Sequence, residues 1–454
     1  MAVEEPKKLR IAVVGVGLGG GAVGAFLKSV PNVDVQLYER SLVHRQVGAW
    51  IGVTPAGQLL LEEICGEDVV DSISSRMYGA PAIKDWKTGA IKVPTTPLPD
   101  GITHEEKVRR RGQADTIRQD LHRIIIEQIP KGTIHTGKRG VGFKVDDDKV
   151  TVDFEDGTSV EADLLIVSDG INSKLRQHVY PDNVPKFLPY LEHMEVFDKA
   201  ELKKTIPDLP NGSTCYFKDD TMVFLGDVGC GRYSIIAVLP ADPEDTKNLG
   251  WAHGADPTRL EHLRNHLNDW DPLITNILKH SKNLGLFPPA RGFWLKSLIY
   301  QDRVCFVGDA AHPTGGAFSA GCSFAFEDGK TLSLALNHVY DEAGSWSLPV
   351  LKRALHLYDE TRTPHVLRIF KALAEDATLD ETENEIKNEM TWLTNIDCDF
   401  EFRRTVAKFA NLQISNGNVP TLPDDASDTN VLLGSMTDKM IAPRGAFQAE
   451  ELSI

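Results

Sequence analysis

The chain contains no Cys-x-x-Cys pair, and its six cysteines, Cys65, Cys215, Cys230, Cys305, Cys322 and Cys398, lie far apart. That spacing speaks against a thiolate zinc site or a dithiol redox motif and suits reduced thiols in an intracellular protein. Basic charge is also scarce. Lys and Arg number 49 against 65 Asp and Glu, a formal net charge of −16. A nucleic-acid surface needs a basic stripe, so no nucleic-acid partner is expected. No apolar run reaches bilayer-spanning length, so no membrane segment is expected. The polar stretch Met1–Arg10 leads into an apolar run that reads as a buried strand and not as a signal peptide. Leu452-Ser453-Ile454 is not a peroxisomal address. Together these features lead us to expect a cytoplasmic protein. Internal repeats, low-complexity tracts and metal-spaced histidines are missing as well, and no metal is expected.

What is present is ordinary globular composition, with 41% hydrophobic and 25% charged residues over a length that exceeds one core. Ile11–Val14 reads as a buried parallel strand, followed by a glycine cluster and a helix over Ala22–Val30. A second strand, Val33–Tyr38, ends in Glu39, which makes a βαβ start. Prolines and short alternating pieces change the character over 76–100, where a second, strand-rich unit is expected to begin. Helical periodicity returns over Asp115–Ile129. Val150–Phe154 and Val160 flank an Asp156-Gly157 turn, a hairpin signal, and Asp163–Ser168 is another buried strand. Strand signals dominate about 186–290, and helical ones about 323–412. From Asn416 to Ile454 the chain is polar and irregular and reads as a loose tail.

The first motif is Gly15-Val16-Gly17-Leu18-Gly19-Gly20. Its first glycine permits a tight turn, the second lets backbone approach a pyrophosphate, and the third lets helix and strand pack closely. The helix N-terminus adds free N–H groups and partial positive charge. Glu39, at the end of the next strand, has the right chemistry to accept from two ribose hydroxyls and to repel a 2′-phosphate. This unit therefore fits NAD or FAD and not NADP. A second motif runs from a buried strand into Asp169-Gly170, with Ser173 and Arg176 at fixed offsets; an ordinary strand-turn-helix with Ser173 as N-cap explains it equally. A third, Val304–Val307 into Gly308-Asp309-Ala310-Ala311-His312-Pro313, sets a carboxylate after a strand end among small residues.

In order and in separation, the three motifs resemble the class A flavoprotein aromatic hydroxylases, the group of p-hydroxybenzoate and salicylate hydroxylases, from about residue 9 to 330. The segment Thr116-Ile117-Arg118-Gln119-Asp120-Leu121 also resembles that family's helix start, whose arginine reaches the flavin. The resemblance implies an α/β fold: a Rossmann-type, glutathione-reductase-like FAD-binding domain (1–75, 101–185 and 291–375) interleaved with a mostly β substrate domain (76–100 and 186–290). A C-terminal helical segment and tail (376–454) would follow. It implies FAD held by Gly15, Gly17, Leu18, Gly20, Glu39, Arg40, Gly52, Arg118, Asp169, Asp309, Gly321 and Cys322. After His312 the chain departs from the family pattern: Gly316-Ala317-Phe318-Ser319-Ala320-Gly321 replaces a proline and a Gly-Gln-Gly run. This variant resembles a fungal branch acting on polyketide phenols, some of whose members dearomatise the ring.

The resemblance further implies an FAD-dependent monooxygenase that uses NADPH or NADH, with NADPH preferred, and O2. It would hydroxylate a phenolic or aromatic-acid substrate through a flavin C4a-hydroperoxide, as a monomer or homodimer. Electrophilic attack favours phenolate, so a base or cation should line the pocket. Tyr216, Arg232 and Tyr233 are the substrate-pocket candidates, with Phe224 beside them and His193 more remote. His312 reads as a structural histidine bonding backbone, and Trp50 as either a flavin neighbour or core. The run Lys107-Val108-Arg109-Arg110-Arg111 is either a greeting patch for nicotinamide phosphates or a solvated loop. The alternatives are a flavin halogenase, although its Trp-x-Trp-x-Ile-Pro segment is missing, an NAD-dependent dehydrogenase, or a non-catalytic Rossmann-fold binder.

Overall fold

Leu9–Val14 is buried at five of its six positions, and it lies in the interior of a six-stranded sheet of the computed structural model. The model describes residues 7–416 apart from 43–48, 79–80, 96–97, 248, 250–251, 254–255 and 375–391. In order across the sheet the strands are Ile299–Tyr300, Val304–Phe306, Leu164–Val167, Leu9–Val14, Val33–Glu39 and Ile134–Thr136. All pairings are parallel except the antiparallel edge strand Ile299–Tyr300. Continuous apolar runs suit strands covered on both sides. A three-stranded antiparallel meander, Gly140–Val145, Val150–Phe154 and Ser159–Ala162, carries the expected hairpin. Helices Leu18–Leu27 and Gly321–Ala343 pack on each other, and Arg118–Ile126 packs on the first of them.

The second sheet has eight strands. Their order is Ala252–His253, Gly285–Phe287, Tyr190–Asp198, Arg232–Pro240, Thr221–Asp227, Thr214–Lys218, Ala82–Lys84 and Ile91–Val93. One face packs Leu191, Val223, Leu225, Ile235 and Ala237 against Leu260, Leu263, Ile274 and Ile277 of helices Pro257–His266 and Pro272–Lys279. Asp256 and Asp271 start those helices by accepting first-turn N–H groups. The opposite face presents Met194, Val196, Phe224, Ile236 and Phe287 to Ala49, Trp50 and Ile117. The strand period of two thus decides which side chains meet which unit.

Two local readings change. Residues 111–117 form a strand and not the start of a helix, because Arg111–Ile117 pairs with both Trp50–Val53 and Ser74–Tyr78; the helix begins at Arg118. Ser74–Tyr78 therefore belongs to this small sheet, and the eight-stranded sheet takes up the chain at Ala82–Lys84. The tail expected after Asn416 lies outside the described residues. Among the described residues no helix is long and apolar enough to cross a membrane.

Candidate functional site

The glycine loop leaves the central strand in a conformation that side chains resist. Gly15 has φ +97°, and a Cβ there would lie 2.4 Å from the Ser168 carbonyl oxygen. A Cβ on Gly20 would lie 1.9 Å from the Gly15 carbonyl oxygen, so helix and turn pack at backbone contact. Helix Leu18–Leu27 then starts at Gly17 with no side-chain cap and no acid in its first turn. Its leading N–H groups, and the positive end of its dipole, have no anionic partner on their own helix.

Arg118 faces this terminus. A Cβ on Gly17 would lie 3.8 Å from the Arg118 guanidinium. The Arg118 backbone N–H donates to the Ala49 carbonyl at 2.8 Å, which fixes the helix start. Its side chain is half-buried and has no hydrogen bond or ion pair among the described residues. Burial pulls its pKa down, and the more distant Asp309 and Glu39 carboxylates are the main groups that oppose that. A cation held in this way beside uncapped N–H groups calls for an anion.

Glu39 does more than the sequence suggests. One carboxylate oxygen accepts the Val16 N–H at 2.9 Å and the other the Ser41 N–H at 2.9 Å, so the side chain itself staples the glycine loop. Both oxygens keep lone pairs for a further donor. Leu18 opens the helix, and Arg40 is exposed just beyond Glu39. Gly52 lies on Trp50–Val53, where its carbonyl accepts from the Cys322 thiol at 3.3 Å. Burial pushes that thiol up to about 12, which keeps it protonated.

The turns after the next two parallel strands meet through Arg176. Its guanidinium donates to the carbonyls of Asp309 at 3.0 Å, Ala310 at 3.2 Å and Ile171 at 2.6 Å. Asp169 accepts from the N–H groups of Lys174 at 3.0 Å and Leu175 at 3.4 Å, and Ser173 caps Arg176 at 2.8 Å. The capping reading of Ser173 therefore holds. Asp169 Oδ1 is buried without a hydrogen-bond partner among the described residues, and burial raises this carboxyl's pKa. The Asp309 side chain is open to solvent, yet enough protein surrounds it to raise its carboxyl as well, the signature of a cleft floor. A Cβ on Gly321, at the start of helix Gly321–Ala343, would lie 3.9 Å from Asp309 Oδ1. Gly17 thus stands against Arg118 and Gly321 against Asp309, and the Arg118 and Asp309 charges lie close enough to act on each other.

His312 is structural, but it bonds a carboxylate and not backbone as expected: its Nε2 lies 2.6 Å from Asp328 Oδ2. Asp328 also accepts the Gly308 N–H at 2.7 Å and pairs with Arg362 at 2.9 Å, and Arg362 pairs in turn with Glu327 at 2.9 Å. This wholly buried network fixes the backbone that presents Asp309. Arg362 is a helix arginine with no motif around it, and its role was not legible before folding.

The substrate-pocket candidates need correction. Tyr216 and Tyr233 are fully buried on the helix-covered face of the eight-stranded sheet. The Tyr216 hydroxyl donates to Asp271 at 2.9 Å, and the Tyr233 hydroxyl is buried without a hydrogen-bond partner among the described residues. His193 shares that face, and burial pulls it down to about 4. Strand alternation turns all three away from the cleft. Arg232 lies on the other face, but its guanidinium is paired with Asp120, two residues beyond Arg118. Phe224 does reach the cleft side, packed against the Trp50 cluster. In the basic run, Arg111 is buried against Glu62 and Glu67, Arg110 pairs with Glu106, and the Lys107 ammonium sits 5.5 Å from the Tyr78 ring centre.

Residues 102–372 match the family model described as FAD binding domain. Two similar proteins are the 6-hydroxynicotinate 3-monooxygenase of Bordetella bronchiseptica and the 3-amino-4-hydroxybenzoate 2-monooxygenase of Streptomyces cremeus. The first is 27% identical over 83% of this chain and 94% of its own. The second is 28% identical over 72% of this chain and 78% of its own. A solved salicylate hydroxylase substrate complex superposes with a TM-score of 0.69 at 20% identity, covering 88% of this chain and 98% of that one, a likeness of fold.

Proposed function

This chain belongs to the FAD binding domain family, and from that premise we propose that it is an FAD-dependent monooxygenase that hydroxylates a phenolic ring. The observation that carries the reading is the Arg118 guanidinium, unpaired among the described residues and set against Gly17 at an uncapped helix N-terminus. That is a demand for the diphosphate of a dinucleotide, and the residues present fit one. In this reading Gly15, Gly17, Leu18 and Gly20 cradle the diphosphate, and Arg118 neutralises it. Glu39 takes the ribose, with Arg40 beside it. Asp309 takes the ribityl hydroxyls, and Gly52, Asp169, Gly321 and Cys322 line the remainder. When bound, FAD supplies the electron and oxygen chemistry, drawing on O2 and a reduced nicotinamide, NADPH in preference to NADH.

The chain's own part is to hold, orient and exclude water. The eight-stranded sheet lays an apolar face over the cleft through Met194, Phe224 and Ile236, which suits a flat aromatic ring. We assign the cofactor to a discontinuous unit that includes the small sheet through Ser74–Tyr78, with 101–185 and 291–375, and the ring to the eight-stranded sheet that takes up the chain at Ala82–Lys84 and again over 186–290. We place the enzyme in the cytoplasm as a monomer or homodimer. The test is NADPH oxidation with and without a panel of phenols, followed by mass spectrometry of the product. Phenol-stimulated, oxygen-dependent oxidation with a gain of one oxygen supports the reading. Oxidation that no phenol stimulates counts against it.

A further inference from the structure

Glu192 sits on Tyr190–Asp198, on the cleft side of the eight-stranded sheet, two residues before Met194. Its neighbours across the strands are Val238 and Phe287. On the third side lies the loop that leads to Asp309's neighbour Gly321: a Cβ on Gly316 would come within 3.7 Å of Glu192 Oε1. None of Val238, Phe287, Met194 and Gly316 titrates; Tyr190 is the nearest titratable group on the same face of its own strand, and His193, next in sequence, lies on the helix-covered face. Glu192 has no hydrogen bond or ion pair among the described residues. Burial alone pushes its carboxyl up to about 7. The loop opposite is unusual: Gly316, Phe318 and Ser319 all have positive φ, at 80°, 61° and 50°. Left-handed backbone at two non-glycine residues in succession is costly and is kept where the surroundings hold it.

A carboxylate on an apolar wall without a cation beside it is unfavourable unless the missing partner comes from outside. The class of partner follows from its sign. A second carboxylate is repelled, whereas a neutral O–H or N–H donor is bound. We infer that Glu192 is the substrate-contacting base of the pocket: it accepts the ring hydroxyl of an uncharged phenol and excludes aromatic carboxylates. On activation the phenol O–H bond breaks with its electron pair left on oxygen, and the proton passes to a Glu192 oxygen. The negative charge moves from the carboxylate to the ring, where electrophilic attack needs it. This inference rests on the cleft being the hydroxylation site, and it narrows the substrate class there.

The experiment is calorimetric titration of the purified holoenzyme with phenol, anisole and salicylate, for the wild type, Glu192→Gln and Glu192→Asp. The wild type should bind phenol about ten- to a hundredfold more tightly than anisole, the size of one hydrogen bond to a charged acceptor, and should reject salicylate. Glu192→Gln should lose most of the phenol preference and admit salicylate, and Glu192→Asp should fall between. In the wild type kcat/KM should rise as pH passes about 7, and Glu192→Gln should lose that limb. Equal binding of phenol and anisole by the wild type, a preference for salicylate, or no change in Glu192→Gln overturns the assignment. A colourless protein that still discriminates through Glu192 keeps the recognition of an uncharged phenol by Glu192 and overturns the flavin reading and with it the role as base in hydroxylation. A yellow, turning-over enzyme indifferent to Glu192 does the reverse.

Discussion

The Arg176 guanidinium donates to the Asp309 backbone carbonyl at 3.0 Å and so ties together the turns after two neighbouring parallel strands. It is fully buried and spends its charge on the carbonyls of Asp309, Ala310 and Ile171, and none of its side-chain hydrogen bonds among the described residues goes to a carboxylate. Replacing it by alanine strands three carbonyl oxygens in a dry site. Arg176→Ala should cost about 3 kcal/mol of stability, the scale of charged hydrogen bonds lost and acceptors left unpaired. Thermal melts check this. FAD affinity should fall with it, and lysine should restore only part, since it lacks the planar fork.

Glu39 serves both the loop and, in our reading, the ribose. Glu39→Gln keeps one acceptor oxygen, whereas Glu39→Ala removes both. The alanine variant should weaken FAD by about 1–3 kcal/mol, and the glutamine variant by less. An FAD dissociation constant unchanged in Glu39→Ala removes the ribose role.

Asp309 differs from Arg176 in sign. Burial raises its carboxyl, so its charged form is disfavoured in the folded protein and removing it relieves that. Asp309→Ala should leave the melting temperature of the flavin-free protein unchanged or higher while flavin occupancy drops. Full occupancy in this variant contradicts the ribityl role.

The Asp328–Arg362 pair gives a pH prediction. Although burial works against ionisation, His312 and Arg362 hold the Asp328 carboxyl down to about 2, against an ordinary value of 3.8. A depressed carboxyl contributes stability above its unfolded value and loses it as pH falls through the folded one. This contribution should be full above about pH 4 and fade toward pH 2, and Asp328→Asn should flatten that limb. Arg362→Met removes the arginine shared by the buried Glu327 and Asp328, leaving them only histidine partners, and should cost about 3–5 kcal/mol. Urea titrations across pH measure both.

The glycine loop, Glu39, the Asp-Gly turn and Asp309 were legible because each follows a strand whose pattern announces itself. Arg118 was legible by resemblance, but its unpaired state was not, since that depends on what the rest of the chain fails to bring near it. The pocket was misread for a simpler reason. Strand periodicity states which residues share a face and not which face meets the cofactor. Tyr216 and Tyr233 took the helix side, and Glu192, the same strand's neighbour to His193, took the other. Arg362 lies on a long helix, Leu348–Ala374, and acquires its meaning only where Asp328 and Glu327 approach from Gly321–Ala343.

The central claim is that the cleft between Gly17 and Asp309 holds FAD through Arg118. The most direct test is the visible spectrum and flavin content of the purified wild type beside Arg118→Ala. The wild type should be yellow with one flavin per chain, and the variant should fold but lose most of its flavin. With a half-buried cation removed that has no partner among the described residues, the flavin-free variant should melt no lower than the flavin-free wild type. A colourless wild type that binds no added FAD, or a variant that keeps full occupancy, would contradict it.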